Sequence, residues 1–206
     1  MKVLLINGSP HKEGCTYTAL SLVASELNAA GIDTEILHVG GQPVGGCIGC
    51  RGCAKGEGCV FGGVVNEAIE KAKTADAFVF GSPVHYASAS GNMTSFMDRL
   101  AFAGGRSLAY KPAAICCSAR RAGTTATLDQ LAKYPEFFHM PLVNGSYWPM
   151  VHGSNPDQVL QDQEGCAVMR ELGRNMAWLL RCIEAGRAAG IEHPANPARP
   201  VTSFIR

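Results

Sequence analysis

Short apolar runs of strand length alternate along the chain with longer segments whose apolar residues recur at helical spacing. The runs expected as strands are Lys2–Asn7, Thr34–Val39, Ala77–Gly81, Ala113–Ser118 and, more weakly, Leu142–Ser146. The segments expected as helices are Thr16–Ala30, Val64–Thr74, Gly91–Phe102, Thr124–Tyr134 and Gln161–Ala188. Such alternation builds βαβ units, so we expect an α/β fold with a doubly wound, five-stranded parallel sheet of order 2-1-3-4-5 and helices on both faces. A ligand of such a sheet binds beyond the carboxyl ends of the strands.

The length of 206 residues suits a single domain, which we expect over residues 1–192. A glycine- and cysteine-rich segment, residues 40–63, is inserted after the second strand, and the proline-bearing residues 193–206 are expected as an extended tail. The net charge of +1 gives no electrostatic reason to expect a nucleic acid or an anionic membrane as partner. No apolar run approaches the roughly 18 residues that span a bilayer, and no cleavage site follows the first strand. We therefore expect a cytoplasmic protein.

The first strand leads into a loop, Gly8–Thr16, that has hydroxyl groups at Ser9 and Thr16 and a helix directly after it. Free backbone amides and the positive end of the helix dipole favour a phosphate group there. The Walker pattern is excluded because five residues separate the two glycines and Cys15, not lysine, follows Gly14. The dinucleotide pattern G-x-G-x-x-G is also absent. The loop therefore favours a monophosphate, and an ordinary turn capped by Thr16 is the alternative.

Two further loops, after the third and fourth strands, are expected at the same edge of the sheet. The first offers a turn, two adjacent rings and an amide, against which a flat heteroaromatic group could rest. The second offers positive charge or backbone amides, which suit the negatively charged edge of a reduced ring system. Ordinary exposed loops are the alternative. The candidate residues of the first loop are Pro83, Val84, His85, Tyr86 and Asn92, and those of the second are Ser118, Arg120, Arg121 and Gly123.

Four of the nine cysteines lie within thirteen residues, at the spacing C-x2-C-x2-C-x5-C. They are Cys47, Cys50, Cys53 and Cys59, and the glycines between them give the loop freedom to bring thiolates onto one soft metal centre. Clustering of this kind indicates a metal or redox site rather than a disulfide scaffold. A four-thiolate zinc site and free or oxidised thiols are the competing interpretations.

With these residues in view, the chain resembles the NADPH-dependent FMN reductase family of flavodoxin-like proteins, in particular its iron–sulfur flavoprotein branch. The segments that carry the resemblance are Val3–Pro10, Gly46–Cys53, Gly81–Tyr86 and Phe96–Arg99. The resemblance implies a flavodoxin-like fold, bound FMN, NAD(P)H as co-substrate and a [4Fe–4S] cluster on the four clustered cysteines. It also implies that Ser9, His11, Cys15 and Thr16 hold the FMN phosphate, that Pro83, Val84, His85 and Tyr86 hold the ring, and that Ser118–Gly123 completes the site. The family often has a basic residue in place of His11 and asparagine in place of Cys15.

The resemblance implies an oxidoreductase in which NAD(P)H reduces bound FMN, and FMN passes electrons to a quinone, a flavin, a nitro or azo compound, or a protein acceptor. Because the flavin supplies the chemistry, no side chain is expected as a catalyst, and His85 alone is a candidate proton donor or stacking partner. The second hypothesis is a ferredoxin-linked electron carrier without NAD(P)H activity. The third is a relative that has lost FMN and senses redox state or metal through its cysteines. We expect a homodimer or homotetramer.

Overall fold

The computed structural model describes residues 1–56, 58–195, 200–202 and 204, which form six strands and six helices. The strands are β1 Lys2–Asn7, β2 Asp33–His38, β3 Ala77–His85, β4 Ser88–Ala89, β5 Ala113–Ala119 and β6 Met150–His152. The helices are α1 Cys15–Ala29, α2 Val64–Thr74, α3 Gly91–Gly104, α4 Thr124–Phe137, α5 Pro156–Gln161 and α6 Gln163–Ala188. Two short 3₁₀ turns, Gly52–Lys55 and Gly105–Ser107, lie between them.

Five of the strands form a parallel sheet in the order β2-β1-β3-β5-β6. The two-residue β4 pairs antiparallel with the end of β3 and makes a hairpin with it. Without this hairpin the order is the expected 2-1-3-4-5, so the predicted doubly wound α/β fold is confirmed. β1 and β3 are neighbours near the centre, with Asn7 opposite Gly81, so the loops that follow them leave the sheet at the same edge.

Side chains of the central strands alternate between two apolar cores because helices cover both faces of the sheet. In β1, Val3 and Leu5 pack toward α1 and α6, whereas Leu4 and Ile6 pack toward α2, α3 and α4. A parallel strand buried on both faces must be apolar at every position. This requirement explains why β1 could be recognised as an uninterrupted apolar run.

The fifth parallel strand lies later in the chain than the sequence predicts. Leu142 makes an isolated bridge with Ala113, and strand β6 spans Met150–His152. The prediction of a strand over Leu142–Ser146 is therefore wrong. That segment touches β5 at its apolar start, and its polar, glycine-containing end leaves the sheet before the chain returns as β6.

Two other elements differ in length from their predictions. β3 continues past Gly81 to His85, and Pro83 is tolerated in it because β1 pairs with β3 no further than Gly81. The predicted helix Gln161–Ala188 corresponds to α6, which begins at Gln163, and Asp162 separates it from the short helix α5, which was not predicted. The Asp162 carboxylate accepts a hydrogen bond from the amide of Gly165 and caps α6.

The segment of residues 40–63 connects β2 to α2 and contains the first 3₁₀ turn, with Glu57 outside the described residues. The predicted extended tail, residues 193–206, falls in part outside the described residues, because 196–199, 203, 205 and 206 are not described. Among the described helices, none combines the length and the apolar composition needed to cross a membrane.

Candidate functional site

The loop Gly8–Thr16 follows the central strand β1 and leads into α1, which begins at Cys15. The residue before the helix is Gly14, which has no side chain, so the first-turn amides receive no side-chain cap. The first turn also contains no acidic residue. Uncapped amides and the positive end of the helix dipole therefore face the loop, and this arrangement attracts a phosphate group.

Hydrogen bonds within the loop and from β2 fix its shape. The Asn7 side-chain oxygen accepts from the amide of Ser9 at 3.1 Å, and its Nδ2 donates to the carbonyl of Lys12 at 3.0 Å. The Ser9 hydroxyl oxygen accepts from the amide of His11 at 3.1 Å. Nε2 of His38 lies 2.8 Å from the Ser9 carbonyl oxygen. The loop is thus held in shape by its own surroundings, which lowers the ordering cost of binding a ligand.

Two glycines allow neighbouring backbone to lie directly against this loop. A Cβ added at Gly40 would lie 2.2 Å from the Ser9 carbonyl oxygen, and one at Gly8 would lie 2.7 Å from Sδ of Met93. The Gly8 amide also donates to the Gly81 carbonyl at 2.9 Å, which joins the loop to β3. Neither glycine can be replaced by a larger residue without displacement of its neighbours.

A cavity of about 150 Å³ lies at the carboxyl edge of the sheet, where the three loops meet. Gly153 lines it although it was not predicted, and so does Ala119, which lies within the predicted range Ser118–Gly123 but was not singled out. Gly153 directly follows β6, so a correct position for the fifth strand would have indicated it. The predicted cofactor residues that line the cavity are Ser9, His11, Cys15, Thr16, Pro83, Val84, His85, Ser118 and Arg120.

Two side-chain contacts join the phosphate loop to the far side of the cavity. The buried hydroxyl groups of Thr16 and Ser118 lie 2.8 Å apart and hydrogen-bond to each other. The Cys15 thiol donates to the Gly153 carbonyl at 3.5 Å. Burial raises the pKa of Cys15, so this thiol is neutral at neutral pH. A neutral thiol does not repel an anion bound at the start of α1.

The hairpin beyond β3 has a turn that is unusual for its residues. Tyr86 and Ala87 join β3 to β4 with φ values of 49° and 60°, as in a type I′ turn, where asparagine and glycine are the usual residues. The Tyr86 side chain is fully exposed. Gly123 has a φ of 92°, and a Cβ there would lie 2.4 Å from Cα of Ala87. The loop after β5 therefore packs directly on the hairpin and fixes it beside the cavity.

Some predicted residues lie outside this cavity. One of them, Asn92, was expected beside the ring but bonds to the backbone of residues 40–44 instead. The Asn92 side-chain oxygen accepts from the amide of Val44 at 3.1 Å, and its Nδ2 donates to the carbonyls of Gly40 and Gln42 at 3.0 and 3.1 Å. Asn92 thus ties the start of α3 to the segment that carries the clustered cysteines. The predicted residues that do not line the cavity are Tyr86, Asn92, Arg121 and Gly123.

A second cavity, of about 230 Å³, lies beside α3 and is lined by all four clustered cysteines. Cys47 and Cys50 are exposed, whereas Cys53 and Cys59 are partly buried. Within the part of the chain that the structure describes, no three His, Cys, Asp or Glu side chains are gathered closely enough to hold a metal ion. The four thiols share one cavity without converging, so metal binding requires the exposed part of the loop to move inward.

Two of these cysteines are held against neighbouring helices. Asn66 of α2 accepts from the Cys59 amide at 2.8 Å and donates to the Cys59 carbonyl at 3.0 Å. Nε of Arg99, on α3, donates to the Cys59 sulfur at 3.2 Å. The Cys53 thiol donates to the Phe102 carbonyl at 3.6 Å. One half of the cysteine cluster is therefore positioned by the fold, and the other half lies on exposed, glycine-rich backbone.

Comparison with known proteins gives a family match and a relative that aligns over its whole length. The family profile described as NADPH-dependent FMN reductase matches residues 1–155. An iron-sulfur flavoprotein of Methanocaldococcus jannaschii is 29% identical over 193 residues, with 89% of this chain and 100% of that protein covered.

Solved structures identify the fold. A flavodoxin from the domain Archaea superposes with a TM-score of 0.61 at 14% identity, covering 88% of this chain and 99% of that chain. RosB with bound 8-demethyl-8-formylriboflavin-5'-phosphate superposes with a TM-score of 0.69 at 14% identity, covering 100% of this chain and 94% of that chain. These matches show that the fold is flavodoxin-like, as the resemblance in sequence implies.

Proposed function

Since the chain belongs to the NADPH-dependent FMN reductase family, we propose that it is an oxidoreductase that binds FMN in the cavity at the carboxyl edge of the sheet. The observation that carries this proposal is the uncapped start of α1 beside the preformed loop Gly8–Thr16. In this proposal the phosphate group of FMN binds at this cradle, and the ring lies against the adjoining walls. Support also comes from RosB, which has the same fold and was solved with a flavin phosphate bound.

The residues around the cavity have distinct roles in this proposal. The first-turn amides of α1 and the Ser9–Thr16 loop hold the phosphate, while Pro83, Val84 and His85 form one wall for the ring. Arg120 contributes positive charge to the lining of the cavity. FMN, when bound, supplies reversible electron transfer. The chain itself binds and orients FMN and excludes water, and the proposal requires no side-chain acid, base or nucleophile.

Recognition of the phosphate is tested by comparing FMN with riboflavin. Hydrogen bonds from amides to an anion each contribute about 1.5–3 kcal/mol, so FMN is expected to bind apoprotein at least about a hundredfold more tightly than riboflavin. Gly14→Asp should abolish this preference, because its carboxylate would cap α1 and repel the phosphate. Gly14→Ala is the matched control, with the same Cβ and no charge. Equal affinity for FMN and riboflavin would contradict the proposed phosphate site.

The electron donor in this proposal is NAD(P)H, and the acceptor is a quinone, a flavin, a nitro or azo compound, or a protein. The description of the family supports the donor. Under anaerobic conditions, NADPH or NADH, each added separately, is expected to bleach the flavin absorbance, with one nucleotide oxidised per bound FMN. The acceptors are then compared by the rate at which each restores the absorbance. Failure of both nucleotides to bleach the flavin would exclude a pyridine-nucleotide reductase.

The second candidate function is an electron carrier in which a cluster on the four cysteines exchanges electrons with FMN. The cavity shared by Cys47, Cys50, Cys53 and Cys59 favours it, as does the relative named an iron-sulfur flavoprotein, which aligns over its whole length. Four thiols in one cavity suit an iron–sulfur cluster or zinc by donor type, once the loop has moved inward. Iron, sulfide and zinc analysis of anaerobically purified protein distinguishes the occupants. Flavin bleaching by reduced ferredoxin, with none by NAD(P)H, would favour the carrier over the reductase.

We further expect the protein to form a homodimer or homotetramer. Exposed aromatic side chains at Tyr147, Trp148 and Trp178 support self-association, since large exposed apolar groups are typical of interfaces. Light scattering coupled to gel filtration measures the mass directly. A monomer at micromolar concentration would contradict this expectation without affecting the proposed FMN site.

A further inference from the structure

Arg99 is a buried cation at the edge of the cysteine-lined cavity. It lies on α3, only 6% of its surface is exposed, and it lines the same cavity as the four clustered cysteines. Its guanidinium group donates to the Cys59 sulfur at 3.2 Å, to the Gly62 carbonyl at 2.9 Å and to the Gly45 carbonyl at 3.4 Å. These contacts join the two ends of the segment that contains all four cysteines.

The partners of Arg99 satisfy its hydrogen bonds but supply no formal negative charge. Two are backbone carbonyl groups, one is a cysteine sulfur, and the ring of Phe61 lies 5.4 Å from the guanidinium carbon. No carboxylate accepts from this side chain among the described residues. A buried charge is costly unless an opposite charge lies nearby, and the residues that the structure describes around Arg99 include no acidic side chain paired with it.

The four cysteines can provide an opposite charge once they bind a metal. A zinc ion or an iron–sulfur cluster held by four thiolates carries a net negative charge. We propose that Arg99 is the counter-charge of an anionic metal–thiolate centre in this cavity, and that it also positions Cys59 as a ligand. This inference rests on the cysteine site of the proposed function and extends it to a residue outside the ligand set.

The charge of Arg99 has two consequences for such a centre. It offsets the net negative charge of the metal–thiolate centre, so it raises the affinity of the site for metal. It also stabilises the more negative, reduced state of an iron–sulfur cluster, so it raises the reduction potential. A residue that merely held the loop in place would affect affinity but would not shift the potential according to charge.

The test compares Arg99→Gln, which removes the charge, with Arg99→Lys, which keeps the charge and loses the planar fork of donors. Arg106→Gln is the matched control, because it removes an exposed cation just beyond the end of α3. Anaerobically reduced apoprotein is titrated with Co²⁺, and thiolate-to-metal charge-transfer absorbance reports binding. We expect Arg99→Gln to weaken Co²⁺ binding by about tenfold or more, Arg99→Lys to weaken it less, and Arg106→Gln to bind like the wild type.

The reduction potential separates the electrostatic role from a structural one. In protein reconstituted with iron and sulfide, the midpoint potential of Arg99→Gln should be more negative than that of Arg99→Lys and of the wild type. The counter-charge role would be refuted if Arg99→Gln bound Co²⁺ as tightly as the wild type. It would also be refuted if Arg99→Gln and Arg99→Lys lost the same Co²⁺ affinity and kept the wild-type potential. Absence of thiolate absorbance in the wild type would overturn the anionic centre itself. FMN affinity, measured on the same samples, reports the flavin proposal independently and should be equal in all four proteins.

Discussion

Gly40→Ala is expected to weaken FMN binding because it displaces the loop Gly8–Thr16. The added Cβ would lie 2.2 Å from the carbonyl oxygen of Ser9 and 2.6 Å from that of Gly8, whereas ordinary contacts begin near 3.4 Å. The Ser9 backbone must therefore move by roughly 1 Å to relieve the overlap. Since both clashing atoms belong to the backbone, no side-chain rotation can accommodate the methyl group. The displacement also stretches the 2.8 Å contact between His38 and the Ser9 carbonyl.

The size of the effect follows from the hydrogen bonds that the displaced loop would lose. Loss of one amide–phosphate bond costs about 1.5–3 kcal/mol, so the Kd for FMN should rise by about 10- to 150-fold. Quenching of FMN fluorescence by apoprotein measures the Kd, and circular dichroism confirms that the variant is folded. Gly45→Ala is the control, because its Cβ would have no neighbour within 4 Å. A folded Gly40→Ala protein with wild-type affinity, or an equal loss in Gly45→Ala, would refute the reasoning.

Three further predictions concern stability and thiol reactivity. Thr16→Val should lower the free energy of unfolding by about 1–3 kcal/mol in urea denaturation, because it leaves the buried Ser118 hydroxyl without its partner. A loss no larger than that caused by Thr→Val at an exposed position would contradict this pairing. Burial raises the pKa of Cys116 to about 12, so alkylation at mildly alkaline pH should label it only after denaturation, as peptide mass spectrometry can show. Hydrogen bonds from Lys2 and a second lysine hold the pKa of Glu35 below its ordinary 4.5. The stability it contributes is therefore complete above that pH and lost as the pH falls through the lowered pKa, so Glu35→Gln should lower the melting temperature at pH 7 and have no effect in strong acid.

The sequence identifies the central strands well because their environment leaves little choice. Val3–Ile6 is buried on both faces of the sheet, and such a stretch must be an uninterrupted apolar run. The fifth strand has no comparable signal, since Met150–His152 contains three residues and lies at the edge of the sheet. Leu142–Ser146 begins with a more strand-like pair, but pairing along β5 selects the later segment. Tertiary partners, not local propensity, decided this strand.

The residues of the candidate site also fall into those that the sequence predicts and those that only the folded structure reveals. Ser9, Thr16 and Ser118 could be predicted at the cavity because topology alone places the ends of their strands at one edge. The partners of Asn92 could not be predicted, since they lie about 50 residues earlier in the chain. An amide side chain can both donate and accept, so many partners suit it, and only the folded chain selects the backbone of residues 40–44. Arg99 belongs to a recognisable motif, but its burial beside Cys59 is visible only in three dimensions.

Helix α3 contacts both the phosphate loop and the cysteine-lined cavity. At its start, the Ser90 hydroxyl donates to the Gly8 carbonyl of the phosphate loop, and nine residues later Arg99 lies against the cysteines. A rise of about 1.5 Å per residue makes this interval about 13 Å long. The helix therefore fixes the spacing between its contact with the phosphate loop and its contact with Cys59. The loop can change in length or sequence without altering that distance, whereas a single residue inserted between Ser90 and Arg99 would rotate the cysteine side by about 100° relative to the phosphate loop.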